Sequence, residues 1–243
     1  MPAVFVHGVP DTAALWDPII ARLARDDVVE LRLPGFGAPL PPGFTCTKEE
    51  YAAWIVEQLR AIAAEHGGPV DLVGHDWGGV LVQYVGSGNP EVVRSWAAAD
   101  GPVDDEYVWH DTAQLFQTPE VGEQIVAAMG GDGFAEGIDA IGHPDPTGCA
   151  AGIDDAMRDA ILRLYRSAVR VGAEWQPTVE RNQRPALVLW ATDDVFAPAD
   201  PIGRRLAARV DAELVLIPGG HWALFEHPDE TVSALEWFWS TLP

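Results

Sequence analysis

Val70-Asp71-Leu72-Val73-Gly74-His75-Asp76-Trp77-Gly78-Gly79 joins a short apolar run to a glycine-flanked turn, and this stretch decides the fold. Val70 to Val73 is a short run suited to a buried parallel strand, and Val80 to Val85 reads as the helix that follows. Asp76 therefore stands on a strand-to-helix turn. Gly74, Gly78 and Gly79 flank it at the spacing of a nucleophile elbow, where close helix approach leaves little room for a Cβ. A carboxylate at a helix N-terminus is favoured in its ionised form and can attack an electrophilic carbon to give a covalent ester. An aspartate that merely caps a helix would look the same in isolation.

Further elements come into register with the elbow. Leu214 to Ile217 is another apolar strand, and His221 follows it in the loop Pro218-Gly219-Gly220-His221-Trp222. Ala186 to Trp190 is a strand leading into Ala191-Thr192-Asp193-Asp194-Val195-Phe196-Ala197-Pro198, where a carboxylate can accept the second N–H of an imidazole. Nucleophile, acid and histidine thus follow in that chain order, each after its own strand. At the N-terminus Val4-Phe5-Val6-His7-Gly8-Val9-Pro10 is a strand running into a turn that can aim the Val9 N–H at a reacting carbonyl, with the Trp77 N–H as its partner in an oxyanion hole.

These landmarks, together with Pro34-Gly35-Phe36-Gly37, resemble the α/β-hydrolase superfamily over nearly the whole chain. Gly-His-Asp-Trp-Gly-Gly is similar to the branch of epoxide hydrolases and haloalkane dehalogenases, and separates it from serine esterases. The resemblance implies that Asp76 opens an epoxide or displaces a halide, that His221 activates water against the resulting ester, and that Asp194 orients His221. Asp194 is favoured over Asp193 because the family's acid lies four residues before the proline. Asp100, after the strand ending at Ala99, matches the position some dehalogenases use and is the alternative acid. No metal or organic cofactor is implied: the chain has no P-loop, no dinucleotide-binding glycine pattern, and no Cys or His cluster at ligand spacing.

The cap decides the leaving group. Epoxide opening needs an acid for the alkoxide, whereas dehalogenation needs N–H donors for the halide. The family's epoxide hydrolases supply two cap tyrosines. Leu164-Tyr165-Arg166 resembles the first site, which assigns Tyr165 as acid; Phe116-Gln117-Thr118-Pro119 resembles the landmark of the second, but the expected tyrosine falls on Thr112, with Tyr107 the nearest substitute. For a halide, Trp77 offers one indole N–H. The second donor is missing from its usual places, now Val9 and Thr112, and Trp109 is the best replacement. Tyr165 favours an epoxide hydrolase giving vicinal diols from small apolar epoxides. The alternatives are a haloalkane dehalogenase and a binding scaffold without catalysis, since a fold does not dictate a function.

With 243 residues and 48% hydrophobic content, one large α/β core is expected. The expected organisation is a hydrolase core over 1–102 and 185–243 with a helical cap inserted over 103–184, broken at Gly130 to Gly133 and at His143 to Pro146. Asp155 to Ala173 is its clearest amphipathic helix. About six strands are expected in a mostly parallel sheet with helices on both faces, near 3–6, 28–33, 70–73, 93–99, 186–190 and 213–217. The antiparallel strands that usually precede the first of these are missing, which leaves a sheet edge that a homodimer would cover. A net charge of −22 excludes nucleic acid and anionic membrane surfaces as partners. Cys46 and Cys149 make no disulfide framework, and the lack of a signal peptide or an apolar span predicts a cytoplasmic protein acting on a small apolar electrophile and water.

Overall fold

The structure, a computed structural model, describes residues 1–242. The chain runs β1 (Ala3–Val6), α1 (Asp17–Ile20), β2 (Val28–Leu31), α2 (Lys48–His66), β3 (Val70–His75), α3 (Trp77–Gly88) and β4 (Val93–Ala99). Six helices follow: α4 (Asp111–Gln117), α5 (Val121–Ala128), α6 (Asp132–Asp139), α7 (Pro146–Gly152), α8 (Asp155–Ser167) and α9 (Val171–Val179). The scaffold then resumes with β5 (Ala186–Ala191), α10 (Arg204–Arg209), β6 (Glu213–Ile217), α11 (Ala223–Glu226) and α12 (Pro228–Thr241).

The six strands form one sheet in the order β2-β1-β3-β4-β5-β6, and every pairing is parallel. This is the α/β-hydrolase fold. Burial on both faces explains the apolar runs: in β1, Val4 and Val6 point into the layer holding Ile55 of α2 and Leu81 of α3, while Ala3 and Phe5 point into the layer holding Ile19 of α1 and Leu235 of α12. Asp71 on β3 is the charged exception, fully buried, with Arg94 Nε at 2.8 Å, Arg25 Nη1 at 3.3 Å and the Ser95 hydroxyl at 2.6 Å. Among the described residues no helix is long and apolar enough to cross a membrane.

The helix expected over Asp155 to Ala173 is two helices. Asp154 caps α8 by accepting the Met157 N–H, and the chain turns at Ala168, whose carbonyl receives the N–H of Val171 and the indole N–H of Trp109. The amphipathic period continues across the turn, which hid the break. Helix α9 then docks on the segment leaving β4: a Cβ at Gly172 would lie 2.0 Å from the Asp104 carbonyl oxygen.

Candidate active site

A parallel sheet presents the carboxyl ends of all its strands on one edge, and the residues picked out by sequence meet there. His7 follows β1, Asp76 follows β3, Asp100 follows β4, Asp194 lies beyond β5 and His221 beyond β6. Asp76 is held at φ +53°, a conformation sparsely populated by non-glycine residues, so its carboxylate stands clear of both strand and helix. The glycines around it allow this. A Cβ at Gly78 would be 2.1 Å from the Val6 carbonyl, and one at Gly8 would be 2.5 Å from the Asp76 carboxylate itself.

Asp76 Oδ2 accepts the Val9 N–H at 2.8 Å, and Oδ1 lies 3.6 Å from His221 Nε2. His221 Nδ1 is 3.0 Å from Asp194 Oδ2, and Asp194 Oδ1 accepts the N–H of Phe196 at 2.7 Å. The Trp77 N–H belongs to the first turn of α3, where backbone donors have no intrahelical partner. Burial opposes charge on His221, but the carboxylates of Asp194 and Asp76 outweigh it and raise its pKa well above the ordinary histidine value. Burial would likewise raise the pKa of Asp76; the hydrogen bond and charge of His221 prevail and lower it.

Asp100 does not reach the His221 ring. Its Oδ1 accepts the Ala191 N–H at 2.8 Å, Oδ2 is buried without a partner among the described residues, and burial followed by the Asp194 charge pushes its pKa well above the carboxylate range. The ring nitrogen facing an acid is therefore turned to Asp194. Two neutral histidines brace the site. His7 Nε2 accepts the Leu33 N–H at 3.1 Å, which fixes its proton on Nδ1. His75, lowered to about 4 chiefly by burial, holds the His221 carbonyl through Nε2 at 2.8 Å.

A cavity of about 310 Å³ opens above Asp76 and His221. Tyr165 of α8 and Thr112 of α4 line it, as do Phe116, Met129, Phe134 and Ile138, and no lysine or arginine does so among the described residues. Burial and then the Asp76 charge push the Tyr165 phenol well above its usual pKa, which keeps its proton on the oxygen. Of the four residues expected at the substrate, Thr112 lines the cavity and Trp77, Trp109 and Tyr107 do not. Trp109 does not line the cavity, because its indole N–H is spent on the Ala168 carbonyl at 2.9 Å and its ring stacks on Trp77 at 5.6 Å. Tyr107 donates its hydroxyl to the Phe196 carbonyl at 3.0 Å and lies outside the cavity as well. The Trp77 indole nitrogen is buried with no partner among the described residues. His110, which the sequence reading passed over, does line the cavity; its only signal was a histidine two residues before Thr112, where a donor was sought.

Asp11, His143 and Cys149 offer ligand atoms within 4.8 Å of one another. Their chemistry does not fit an ion. His143 Nδ1 accepts the Asp145 N–H, which leaves the proton on Nε2 facing Asp11 Oδ1 at 2.8 Å, while Asp11 Oδ2 accepts the Trp222 indole N–H at 3.0 Å. The cluster ties the α6–α7 connection to the loops of Val9 and His221.

Comparison with known proteins agrees with the fold. The model of the alpha/beta hydrolase family matches residues 3–234. The (E)-2-((N-methylformamido)methylene)succinate hydrolase of Acinetobacter baylyi is 28% identical over 41% of this chain, a match spanning 37% of that relative's length. The 2-hydroxy-6-oxo-6-(2'-aminophenyl)hexa-2,4-dienoic acid hydrolase of Metapseudomonas resinovorans is 24% identical over 96% of this chain and 82% of its own. Among solved structures, a thermophilic esterase from Thermogutta terrifontis superposes with a TM-score of 0.78 at 20% identity, over 100% of this chain and 91% of the other. The haloalkane dehalogenase DbeA from Bradyrhizobium elkani gives 0.76 at 21% identity, over 98% and 90%.

Proposed function

This chain belongs to the α/β hydrolase family, and from that premise we propose that it is a hydrolase working through an alkyl ester on Asp76, with small neutral epoxides as substrates and vicinal diols as products. The observation that carries the reading is a carboxylate, not a hydroxyl, at the strained elbow, 3.6 Å from His221 and in one cavity with Tyr165. An elbow serine makes acyl esters; an elbow carboxylate attacks saturated carbon.

Asp76 attacks an epoxide carbon, the C–O electron pair passes to oxygen, and that oxygen takes the phenolic proton of Tyr165. The Asp76 charge disappears in the ester, so His221 loses one of the two carboxylates that raise its pKa, gives its proton to solvent and becomes a base; it takes a proton back from solvent when the Asp76 carboxylate is restored. It removes a proton from water as the hydroxide adds to the ester carbonyl, and the Val9 and Trp77 N–H groups hold the oxyanion. Collapse expels the diol alkoxide, which takes the proton from His221, and the proton left on Asp76 restores the phenol. An uncharged substrate fits a lining without lysine or arginine side chains. The second reading, halide displacement, rests on the Trp77 indole N–H, but Trp77 does not line the cavity and Trp109 has no N–H left to give as its partner.

The test is the intact mass of His221→Gln protein exposed to epoxides and haloalkanes. An adduct of whole-epoxide mass, absent when Asp76→Ala is added, is the expected result. Alkyl adducts from haloalkanes alone would replace epoxide opening by dehalogenation, and no Asp76 adduct from either class would overturn the alkyl-ester reading.

A further inference from the structure

The side-chain donors lining the cavity are few. Thr112 is exposed, the Trp222 indole N–H is bound to Asp11, and His221 faces Asp76 and Asp194. Tyr165 and His110 remain. Resting on the alkyl-ester reading, we infer that His110 is the second donor to the epoxide oxygen: its Nε2–H and the Tyr165 hydroxyl together receive the oxygen as Asp76 opens the ring.

The local structure fixes how His110 can act. It is the N-cap of α4, and its Nδ1 accepts the Ala113 N–H at 3.3 Å. A neutral imidazole has one proton, so the cap bond puts it on Nε2. Burial lowers the pKa of the ring against the opposing pull of the Asp76 charge, which favours this neutral form. Phe196 at 4.7 Å and Trp109 at 6.2 Å between ring centroids hold the ring in place. His110 also lines a second groove outside the cavity, together with Thr112 and Phe196, so the donor stands at the cavity's boundary. A hydrogen bond from Nε2–H stabilises the alkoxide as it forms, while the proton itself comes from Tyr165. The atoms balance as before, and His110 keeps its proton throughout.

His110→Ser separates the two duties of the residue, because a serine hydroxyl can still cap α4 but has no ring N–H. The alkylation rate is read by time-resolved intact mass in the His221→Gln background, and ester hydrolysis by single turnover with His221 present. His110→Ser is expected to slow alkylation at least tenfold and leave ester hydrolysis within twofold of the parent, with the loss smaller for epoxides whose oxygen is a weaker base. Alkylation within twofold of the parent, or an equal fall in both steps, would overturn the role. An absence of any epoxide adduct in the His110-containing parent would instead remove the reading on which the role rests.

Discussion

In the proposed mechanism Asp76 and His221 share one electrostatic arrangement that serves two opposite steps. While Asp76 is ionised it raises the His221 pKa, and His221 in turn lowers that of Asp76. Carboxylate and imidazolium thus support each other, and in the proposed mechanism esterification releases the base only once it is needed. The sign of the pH dependence follows. Alkylation needs ionised Asp76, whose lowered pKa keeps it available as pH falls. Ester hydrolysis needs neutral His221 and fails as pH drops through the imidazole pKa of the ester form, which Asp194 alone still raises. The fraction of wild-type enzyme carrying the ester at steady state should therefore increase on going from mildly alkaline to mildly acidic conditions, read by acid quench and intact mass. A fraction that falls or stays level would break this link. Asp76, Asp194 and His221 were legible in the sequence because each follows a strand whose apolar run announces it. Trp109, Tyr107 and His110 were not, because whether a cap donor is free or spent depends on which carbonyl lies opposite it: Ala168 and Phe196 are 59 and 89 residues away in sequence.

At the scale of elements, strand positions were legible for the same reason that the sheet is stable: parallel strands buried on both faces cannot hide their composition. The α8–α9 break had no such signature, since it comes from contacts made among the helices between β4 and β5. The junction it serves depends on Asp104, the second residue beyond Pro102, where the chain leaves the scaffold. Its buried carboxylate accepts Arg205 Nε at 2.8 Å and Arg209 Nη2 at 3.2 Å, and the Arg209 Nη1 donates to the Val103 carbonyl. Burial raises the Asp104 pKa less than Arg205, the Glu106 N–H and Arg209 lower it. This stabilisation is present above the unfolded carboxylate pKa and is lost as pH falls through the folded one. Asp104→Ala removes the buried partner of two guanidinium groups, and a loss of about 2–3 kcal/mol is expected, below the range for fully buried pairs because Arg205 is partly solvated and keeps Glu106, and Arg209 keeps the Val103 carbonyl. Urea unfolding at neutral pH should show the midpoint falling with an unchanged slope. A midpoint equal to the wild type would mean that this junction is held by packing, with Gly172 against the Asp104 carbonyl as the principal contact.

For the molecule as a whole, 37 acidic residues face 15 basic ones. The attractive pairs are short-ranged and several rest on buried carboxylates, Asp71 and Asp104 among them, so salt reaches them poorly. The excess of 22 negative charges acts at longer range, across a surface where nothing offsets it, and opposes the compact state. Screening should therefore relieve more repulsion than it costs in attraction. Raising sodium chloride from about 0.01 M, where the Debye length is ~30 Å, to about 0.3 M, where it is well under 10 Å, should stabilise the fold by about 1 kcal/mol. For a chain of this length that corresponds to ~2–4 °C in Tm by scanning calorimetry. The shape of the rise separates the causes, since screening saturates once the Debye length falls below the spacing of surface charges, whereas solute exclusion continues in proportion to concentration. A Tm that falls over the same range would mean that the surface ion pairs, such as Arg22 with Asp229 and Arg166 with Glu123, outweigh the net charge, and that the acidic surface is balanced locally.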